Sequence, residues 1–303
     1  MCAGWALVRV LGVDAGYPVV PLMTYTLFVL PVAVLATAVA LVLRQWPAAA
    51  LAALATVALV AVIAPRAIGG PDSMEGLPVR VMSANVLAGH ADAARLVDFA
   101  RDRDVDVLCV EELTPEFARS LDAAGLGRLF PQRALSVREG VRGSGIYSRY
   151  PLRPLPLPKI SSSRARTTIS PGLPVDVMAV HNLPVPTSPS NVDGWGDSLG
   201  GLPGVSAAGP IQVLAGDFNA TIDQSEFRDL LDRGYYDAAA RMGDGLRPTW
   251  PAIRGSNRYL PVTIDHVLYD RDRAGVRDYD VLDLPGTDHR TVYAELVLRA
   301  PGG

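Results

Sequence analysis

The chain has 303 residues, of which 28 are lysine or arginine and 31 are aspartate or glutamate. The formal net charge of -3 at pH 7 does not favour a protein that binds duplex nucleic acid through excess positive charge. Its two cysteines, Cys2 and Cys109, do not imply a disulfide framework.

Two long runs near the N-terminus contain no charged side chain. They cover residues 22–43 and 48–64, and only the polar turn at 44–47 separates them. About 20 apolar residues cross the hydrocarbon core of a bilayer as a helix, and neither run has the polar face of a helix on a soluble core. We therefore predict that residues 1–66 are a membrane anchor with transmembrane helices at about 20–43 and 47–64. The alternative is a pair of helices buried in a soluble core.

The first residues and the orientation of this anchor have more than one interpretation. Residues 1–13 are apolar except for Arg9 and are too short to span a membrane, so they lie at the interface or end another helix. The charges of Arg9, Arg44 and Arg66 are too few to fix the orientation by the positive-inside rule. Which side of the membrane carries the rest of the chain therefore stays open at this point.

The pattern changes after the second run. Residues 67–78 are rich in glycine and proline, which is typical of a linker, and we expect a globular domain at 79–303. Short β-type runs there alternate with helical patterns, which predicts an α/β fold. The predicted strands are 79–86, 105–112, 145–149, 174–182, 210–219, 263–270 and 291–298, and the predicted helices are near 92–102, after Thr114-Pro115-Glu116, and at 225–231.

Polar side chains collect where these strands end. The end of a strand holds side chains rigidly beside a crevice. Carboxylate and amide oxygens in such a set suit Mg²⁺, or Mn²⁺, better than zinc. Each residue alone also fits a turn, a cap or a solvated edge, so the prediction depends on the whole set, which is Asn85, Glu111, Glu112, His181, Asn182, Asp217, Asn219, Asp265, Asp288 and His289.

The order of seven segments supports the set as a whole. SANVL, CVEEL, GSGIYSRYPL, AVHNLP, AGDFNA, IDHVL and TDHRTV follow one another, and in this order the sequence resembles the endonuclease/exonuclease/phosphatase superfamily over residues 79–298. The resemblance implies a deoxyribonuclease I-like four-layer sandwich, in which two mixed β-sheets are flanked by helices, with a Mg²⁺-dependent site at one end. We expect the transmembrane hairpin to precede it.

The resemblance also implies roles for the metal-binding and histidine positions. Glu112 matches the principal metal carboxylate, with Asn85 beside it. Asp288 matches a second acidic residue at the metal or the phosphate. His289 matches the histidine beside the scissile phosphate, and Asp265 would orient that histidine.

Three further positions match residues that activate water, bind a phosphate oxygen or protonate the leaving group. Asp217 resembles the residue that positions or deprotonates the attacking water, and Asn219 the amide that holds a phosphate oxygen. His181 is a candidate acid for the leaving oxygen. Whether Asp217 or His289 is the working base stays open, and we treat the two as one coupled unit.

Some positions depart from the family or are weaker candidates. Glu111 stands where the family usually has glutamine, and we expect it to point away from Glu112 and cap the sheet edge. Thr287 replaces a serine. Trp250 is either a lip over the substrate or, more in keeping with its type, a core residue.

The leading hypothesis is a membrane-anchored, Mg²⁺-dependent phosphoesterase that hydrolyses a phosphodiester of a nucleic acid or a lipid head group. The alternative is a catalytically silent membrane-bound scaffold on the same fold, which predicts the loss of metal or histidine groups. Similarity to membrane-anchored bacterial members leads us to expect a multi-pass protein of the plasma membrane with an extracytoplasmic domain. No protein partner is predicted.

Overall fold

The computed structural model describes residues 1–156, 162–252 and 259–299, so residues 157–161, 253–258 and 300–303 lie outside it, including the end of the predicted domain. The N-terminal part of the chain is helical. Its helices are α1 (Cys2–Leu11), α2 (Val19–Met23), α3 (Thr26–Val42), α4 (Trp46–Ile63) and a 3-10 turn (Ala64–Arg66).

Helices α3 and α4 pack against each other around a turn at residues 43–45. In the described part of the chain, Trp46–Arg66 is the one helical segment long and apolar enough to cross a membrane, with a mean hydropathy of 2.4. The first predicted span, 20–43, is not one helix. Val20 packs into the core of the following domain and its carbonyl oxygen accepts a hydrogen bond from Gln224, so the chain turns at Thr24 before α3 begins.

The rest of the chain forms two mixed six-stranded sheets. The first has the order β11-β12-β1-β2-β4-β3 and the second the order β5-β6-β7-β8-β10-β9. The strands are β1 (Leu77–Asn85), β2 (Val107–Glu111), β3 (Gln132–Ser136), β4 (Ser144–Ser148), β5 (Leu152–Pro154), β6 (Ser163–Ser170), β7 (Leu173–His181), β8 (Ile211–Asp217), β9 (Tyr235–Asp237), β10 (Asp265–Asp270), β11 (Ala274–Leu282) and β12 (Thr291–Leu298).

The two sheets pack face to face because successive side chains along each strand point to opposite faces of the sheet, and both faces are apolar. Along β1, Val79 and Val81 contact the opposite sheet, whereas Met82 and Ala84 face the helices on the outer side. Each fully buried side chain of this size contributes roughly 1.5–3 kcal/mol to folding. The result is a helix-sheet-sheet-helix sandwich, in agreement with the predicted four layers.

Of the six α-helices described in this domain, the first five cover the two outer faces, and the last adds Ala238 and Ala239 to the core between the sheets. They are α5 (Ala93–Asp102), α6 (Pro115–Ala123), α7 (Leu126–Leu129), α8 (Val192–Gly200), α9 (Ser225–Asp232) and α10 (Ala238–Met242). Three of them begin at side-chain N-caps, since Asp92 accepts a hydrogen bond from Arg95 N, Thr114 accepts one from Phe117 N and Asp237 accepts one from Ala240 N. These caps fix where each helix starts after the preceding loop.

Two parallel strand pairs align the ends of the sheets. In the first sheet Asn85 of β1 lies opposite Glu111 of β2, and in the second sheet His181 of β7 lies opposite Asp217 of β8. Asp265, the first residue of β10, also pairs with Asp217. Because both sheets end at the same side of the sandwich, polar residues from both meet there.

Candidate active site

Glu112 follows β2 in an unusual backbone conformation. Its φ is 60°, in the left-handed region that residues other than glycine rarely adopt and that is common at functional sites. One carboxylate oxygen accepts a hydrogen bond from Ala88 N at 2.7 Å, and the other accepts one from Asn85 Nδ2 at 3.1 Å. The local backbone therefore turns this carboxylate away from the sheet and holds it beside Asn85.

Asp217 is the centre of the cluster. Its Oδ2 accepts hydrogen bonds from Asn85 Nδ2 at 3.1 Å and from Asn219 Nδ2 at 3.3 Å. The same oxygen lies 3.9 Å from His181 Nε2 and 3.7 Å from His289 Nε2. Burial raises the pKa of this carboxyl, while the nearby histidines oppose the shift. One carboxylate thus joins four other predicted site residues.

His289 is paired with the carboxylate that we expected to orient it. Its Nδ1 lies 3.1 and 3.0 Å from the two carboxylate oxygens of Asp265. Burial lowers the pKa of His289, but the charges of Asp265 and Asp217 outweigh burial and raise it to about 10. The imidazole is therefore a cation at neutral pH, with Nδ1–H donated to Asp265 and Nε2–H directed toward Asp217.

Asp288 lies at the rim of this cluster and contacts an aromatic residue that the sequence left undecided. Trp250 is half-buried and donates its indole N–H to Asp288 Oδ2 at 3.0 Å. The Asp288 Oδ1 atom is buried and has no hydrogen-bond partner within the described ranges. The Trp250 ring centroid is 6.4 Å from that of His289, so this residue belongs to the site and not to the core.

The chemistry of the donor set fits a divalent cation. Glu112 and Asp217 are buried carboxylates that both accept from the Asn85 amide, and Asp288 offers a buried oxygen that no described residue binds. Ligand atoms of Asp217, Asp265 and His289 also lie within 4.8 Å of one another, a spacing that could hold an ion. Since His289 donates to both oxygens of Asp265, we favour the Glu112 side for the cation.

The amide of Asn85 is turned differently from the predicted metal ligand. Its Oδ1 accepts a hydrogen bond from Leu87 N at 3.0 Å, so its Nδ2 faces the two carboxylates. The Thr287 hydroxyl donates to the backbone carbonyl of Asn85 and accepts from His289 N. A serine would supply the same hydroxyl, which accounts for the departure from the family at Thr287.

Glu111 does not cap the sheet edge as expected. It is fully buried, it shares the inward face of β2 with Cys109, and it accepts a hydrogen bond from Ser83 Oγ at 2.9 Å. Burial raises the pKa of Glu111 well above the ordinary value for glutamate, which favours the neutral form of this carboxyl. A neutral acid has the shape of the glutamine that the family usually carries there.

The loop after β8 is held from outside the site. The Trp195 indole donates to the carbonyl oxygen of Asn219 at 3.1 Å. Further along, Asp223 is buried and accepts hydrogen bonds from both Arg9 and Arg66. The N-terminal helices therefore fix the segment that carries Asn219, a contact that strand patterns could not predict.

Two sheets packed face to face, with carboxylates and histidines meeting at their ends, define a phosphoesterase-like fold. Residues 82–289 match the model of the endonuclease/exonuclease/phosphatase family, and the chain belongs to that family. A comparison with curated protein sequences gives no match.

Several solved structures share the fold. TDP2 from D. rerio, complexed with a single-strand DNA product, is 18% identical over 74% of this chain and 99% of its own, with a TM-score of 0.54. The 3' phosphatase NExo from Neisseria, bound to a product DNA hairpin, is 19% identical over 72% and 98%, with a TM-score of 0.55. An AP endonuclease from Archaeoglobus fulgidus is 16% identical over 71% and 98%, with a TM-score of 0.56. At these identities the likeness shows the fold alone.

Proposed function

We propose that the protein is a membrane-anchored, metal-dependent phosphoesterase that hydrolyses a phosphodiester by attack of water. The observation that carries this proposal is the meeting of Asn85, Asn219, His181 and His289 at one oxygen of Asp217, with Glu112 bound to the same amide. A silent scaffold would be expected to have lost some of these groups. All of them are present and in contact.

Glu112 would hold the divalent cation, Mg²⁺ or Mn²⁺, and Asp288 is the second carboxylate that we assign to it. When bound, the cation supplies positive charge that stabilises the phosphoryl group and the departing oxygen. Carboxylate ligands of this kind suit a hard cation. The other groups of the site then have the tasks of placing water, moving protons and binding the phosphoryl oxygens.

Asp217 is positioned to orient the attacking water and to accept its proton as the new oxygen–phosphorus bond forms. His289 is cationic and can donate its Nε2–H to a phosphoryl oxygen, while the Asn219 amide donates to another. As the bond from phosphorus to the leaving oxygen breaks, His181 can supply the proton that this oxygen needs. Asp265 keeps His289 charged and correctly turned throughout.

Membrane anchoring is the second part of the proposal. Helix α4 with its 3-10 extension is apolar, and only 22% of its most apolar window is buried against other parts of the chain. Large apolar side chains of α3 and α4 are exposed, among them Leu35, Leu54 and Val57. A surface of this kind needs an apolar environment, which supports insertion of the α3–α4 pair in a bilayer.

Two substrate classes are compatible with these two parts of the proposal. DNA is present in the TDP2 and NExo structures, which supports a nucleic acid, whereas the apolar N-terminal helices support a lipid head group. The same site can serve either class, because the residues around the phosphorus act on the ester and the surrounding loops select the molecule.

The first test is hydrolysis of bis(p-nitrophenyl) phosphate by the full chain in detergent, with Mg²⁺ or with EDTA. Asp217→Asn and His289→Gln should each lower kcat by about 10²–10⁴-fold. Asp272→Asn is the matched control, since that side chain is exposed and follows the end of β10 opposite to Asp265. The absence of metal-dependent turnover in the unchanged protein would favour the scaffold and overturn the proposal.

A further inference from the structure

A cavity of about 340 Å³ adjoins the active site. It lies between residues 184–187, which follow β7, and residues 21–25, which precede α3, and its remaining walls include Trp250 and Tyr259. Sites for small molecules in proteins have volumes of roughly 300–1,000 Å³. The cavity is thus large enough for one small organic group, and the phosphoesterase reaction itself assigns no part to it.

Two of its walls are active-site residues. Asn219 lines the cavity and its amide also binds Asp217 at 3.3 Å. Trp250 lines the cavity and its indole nitrogen binds Asp288 at 3.0 Å. A group that fills the cavity would therefore lie next to a phosphate bound at the site. It is placed as one ester substituent of that phosphate would be.

The opposite wall belongs to the N-terminal helices. Pro21, Thr24 and Tyr25 line the cavity, and α3 starts at the next residue, Thr26. The cavity thus lies where the chain passes from the catalytic domain into its most apolar helices. In a membrane-anchored protein this position is at the bilayer surface, within reach of a molecule that stays in the bilayer.

The described lining of the cavity is mostly apolar. Among its twelve described lining residues, Thr24, Thr187 and Asn219 have non-aromatic polar side chains, and none of the twelve is charged. The Thr24 hydroxyl is buried and has no hydrogen-bond partner among the described residues. Sequence-specific recognition of a nucleobase uses several donors and acceptors along its edges in addition to stacking on aromatic rings, whereas a hydrocarbon group requires only apolar walls.

We propose that this cavity binds the hydrocarbon part of an amphipathic phosphate ester that the protein takes from the membrane. The inference rests on the proposed phosphoesterase function and names its substrate class. The apolar group lies against Val185, Tyr25 and Ile264, while the phosphate reaches the site past Asn219 and Trp250. The bilayer anchor then keeps the catalytic domain beside its substrate.

The test measures binding without requiring catalysis. The full chain in nanodiscs is irradiated with hexyl phosphate that carries a terminal diazirine, and labelled peptides are identified by mass spectrometry. Label is expected at residues 21–25 and 184–187. Butyl, pentyl and hexyl phosphate should compete with an affinity that rises about fourfold per added methylene.

Two variants sharpen the test. Val185→Trp fills the cavity and should lower labelling of these two segments at least tenfold. Leu183→Trp is its control, because Leu183 lies in the same loop, is 49% exposed and does not line the cavity. Label confined to the helices at 26–63, competition independent of alkyl length, or equal competition by a nucleoside monophosphate would overturn the inference. Labelling as expected without hydrolysis of bis(p-nitrophenyl) phosphate would overturn the proposed function alone.

Discussion

The Nε2 atom of His289 lies 3.7 Å from Oδ2 of Asp217, although the two residues come from opposite sheets. His289 precedes β12 of the first sheet, and Asp217 ends β8 of the second. The contact therefore exists only when the two sheets pack in their observed register. In the proposed mechanism, catalysis therefore depends on the packing of the two sheets at this pair.

Asp265→Asn should separate the charge of His289 from its position. The amide can still accept the Nδ1–H, but it cannot stabilise the imidazolium, so the pKa of His289 falls from about 10. The profile of kcat against pH should lose activity at a lower pH than in the unchanged protein, and kcat at neutral pH should fall by about 10²–10⁴-fold. Asp278→Asn, at an exposed position of β11, is the control. An unchanged profile would show that Asp265 does not hold the charge of His289.

Gly216→Ala should disrupt the strand end that carries Asp217. Gly216 has a φ of 149°, and a Cβ atom there would lie 2.0 Å from the carbonyl oxygen of Val180. Strand β8 would have to move away from β7, at a cost of roughly 1–3 kcal/mol in the free energy of unfolding. We expect at least a tenfold loss of kcat as well. Gly200→Ala meets nothing within 4 Å and should change neither quantity.

Asp223→Asn should loosen the N-terminal helices from the domain. The substitution leaves Arg9 and Arg66 buried without their carboxylate partner, and breaking a buried ion pair costs about 3–5 kcal/mol. The free energy of unfolding in urea, measured in detergent, checks this value. Asp122→Asn is the control, because its pair with Arg133 is exposed and such pairs contribute about 0–1 kcal/mol. Equal effects of the two substitutions would contradict the account.

His266 should make stability depend on pH. Its Nδ1 contacts Asp237 and its Nε2 contacts the carbonyl oxygen of Ala220, so both nitrogens face acceptors and the ring is a cation. Burial lowers the pKa of His266, but Asp237 outweighs burial and raises it above 6.5. The stabilisation is therefore complete below pH 6.5 and is lost as the pH rises through the folded-state pKa.

Urea unfolding from pH 6 to pH 9 tests this dependence. The difference in unfolding free energy between the unchanged protein and His266→Gln should shrink as the pH rises, because only the histidine loses its charge. The size of the difference at a single pH also includes lost packing against Phe218 and Phe227. A difference that grows with pH would contradict the assignment of a cationic His266.

Part of the fold could be predicted from residue patterns. Strands β1, β2, β7, β8, β10 and β12 contain strongly apolar runs, because they are central in the two sheets, and the predicted runs overlap the observed strands. Strand β6 carries Arg164 and Arg166, which bind Asp176 of β7, and β11 is bulged next to two exposed residues, Arg277 and Asp278. Their patterns resemble loops, and only pairing with a neighbouring strand defines them.

The site, too, has features that local residue patterns predict and features that they do not. Residues at the ends of central strands were predicted to meet, because parallel pairing places Asn85 beside Glu111 and His181 beside Asp217. The orientation of the Asn85 amide and the bond between Trp250 and Asp288 depend on contacts between distant segments. The docking of Arg9 and Arg66 on Asp223 is also of this kind, since more than 150 residues separate the partners.

The central claim is that Glu112 holds a divalent cation on which hydrolysis depends. The most direct measurement is the rate of bis(p-nitrophenyl) phosphate hydrolysis by the full chain as Mg²⁺ is added back after EDTA, for the unchanged protein and for Glu112→Gln. Glu116→Gln is the control, because Glu116 is exposed four residues along in α6. The account predicts that the unchanged protein and the control regain activity at the same Mg²⁺ concentration, while Glu112→Gln requires at least about tenfold more. Activity that survives EDTA, or that returns at the same concentration in all three proteins, would contradict it.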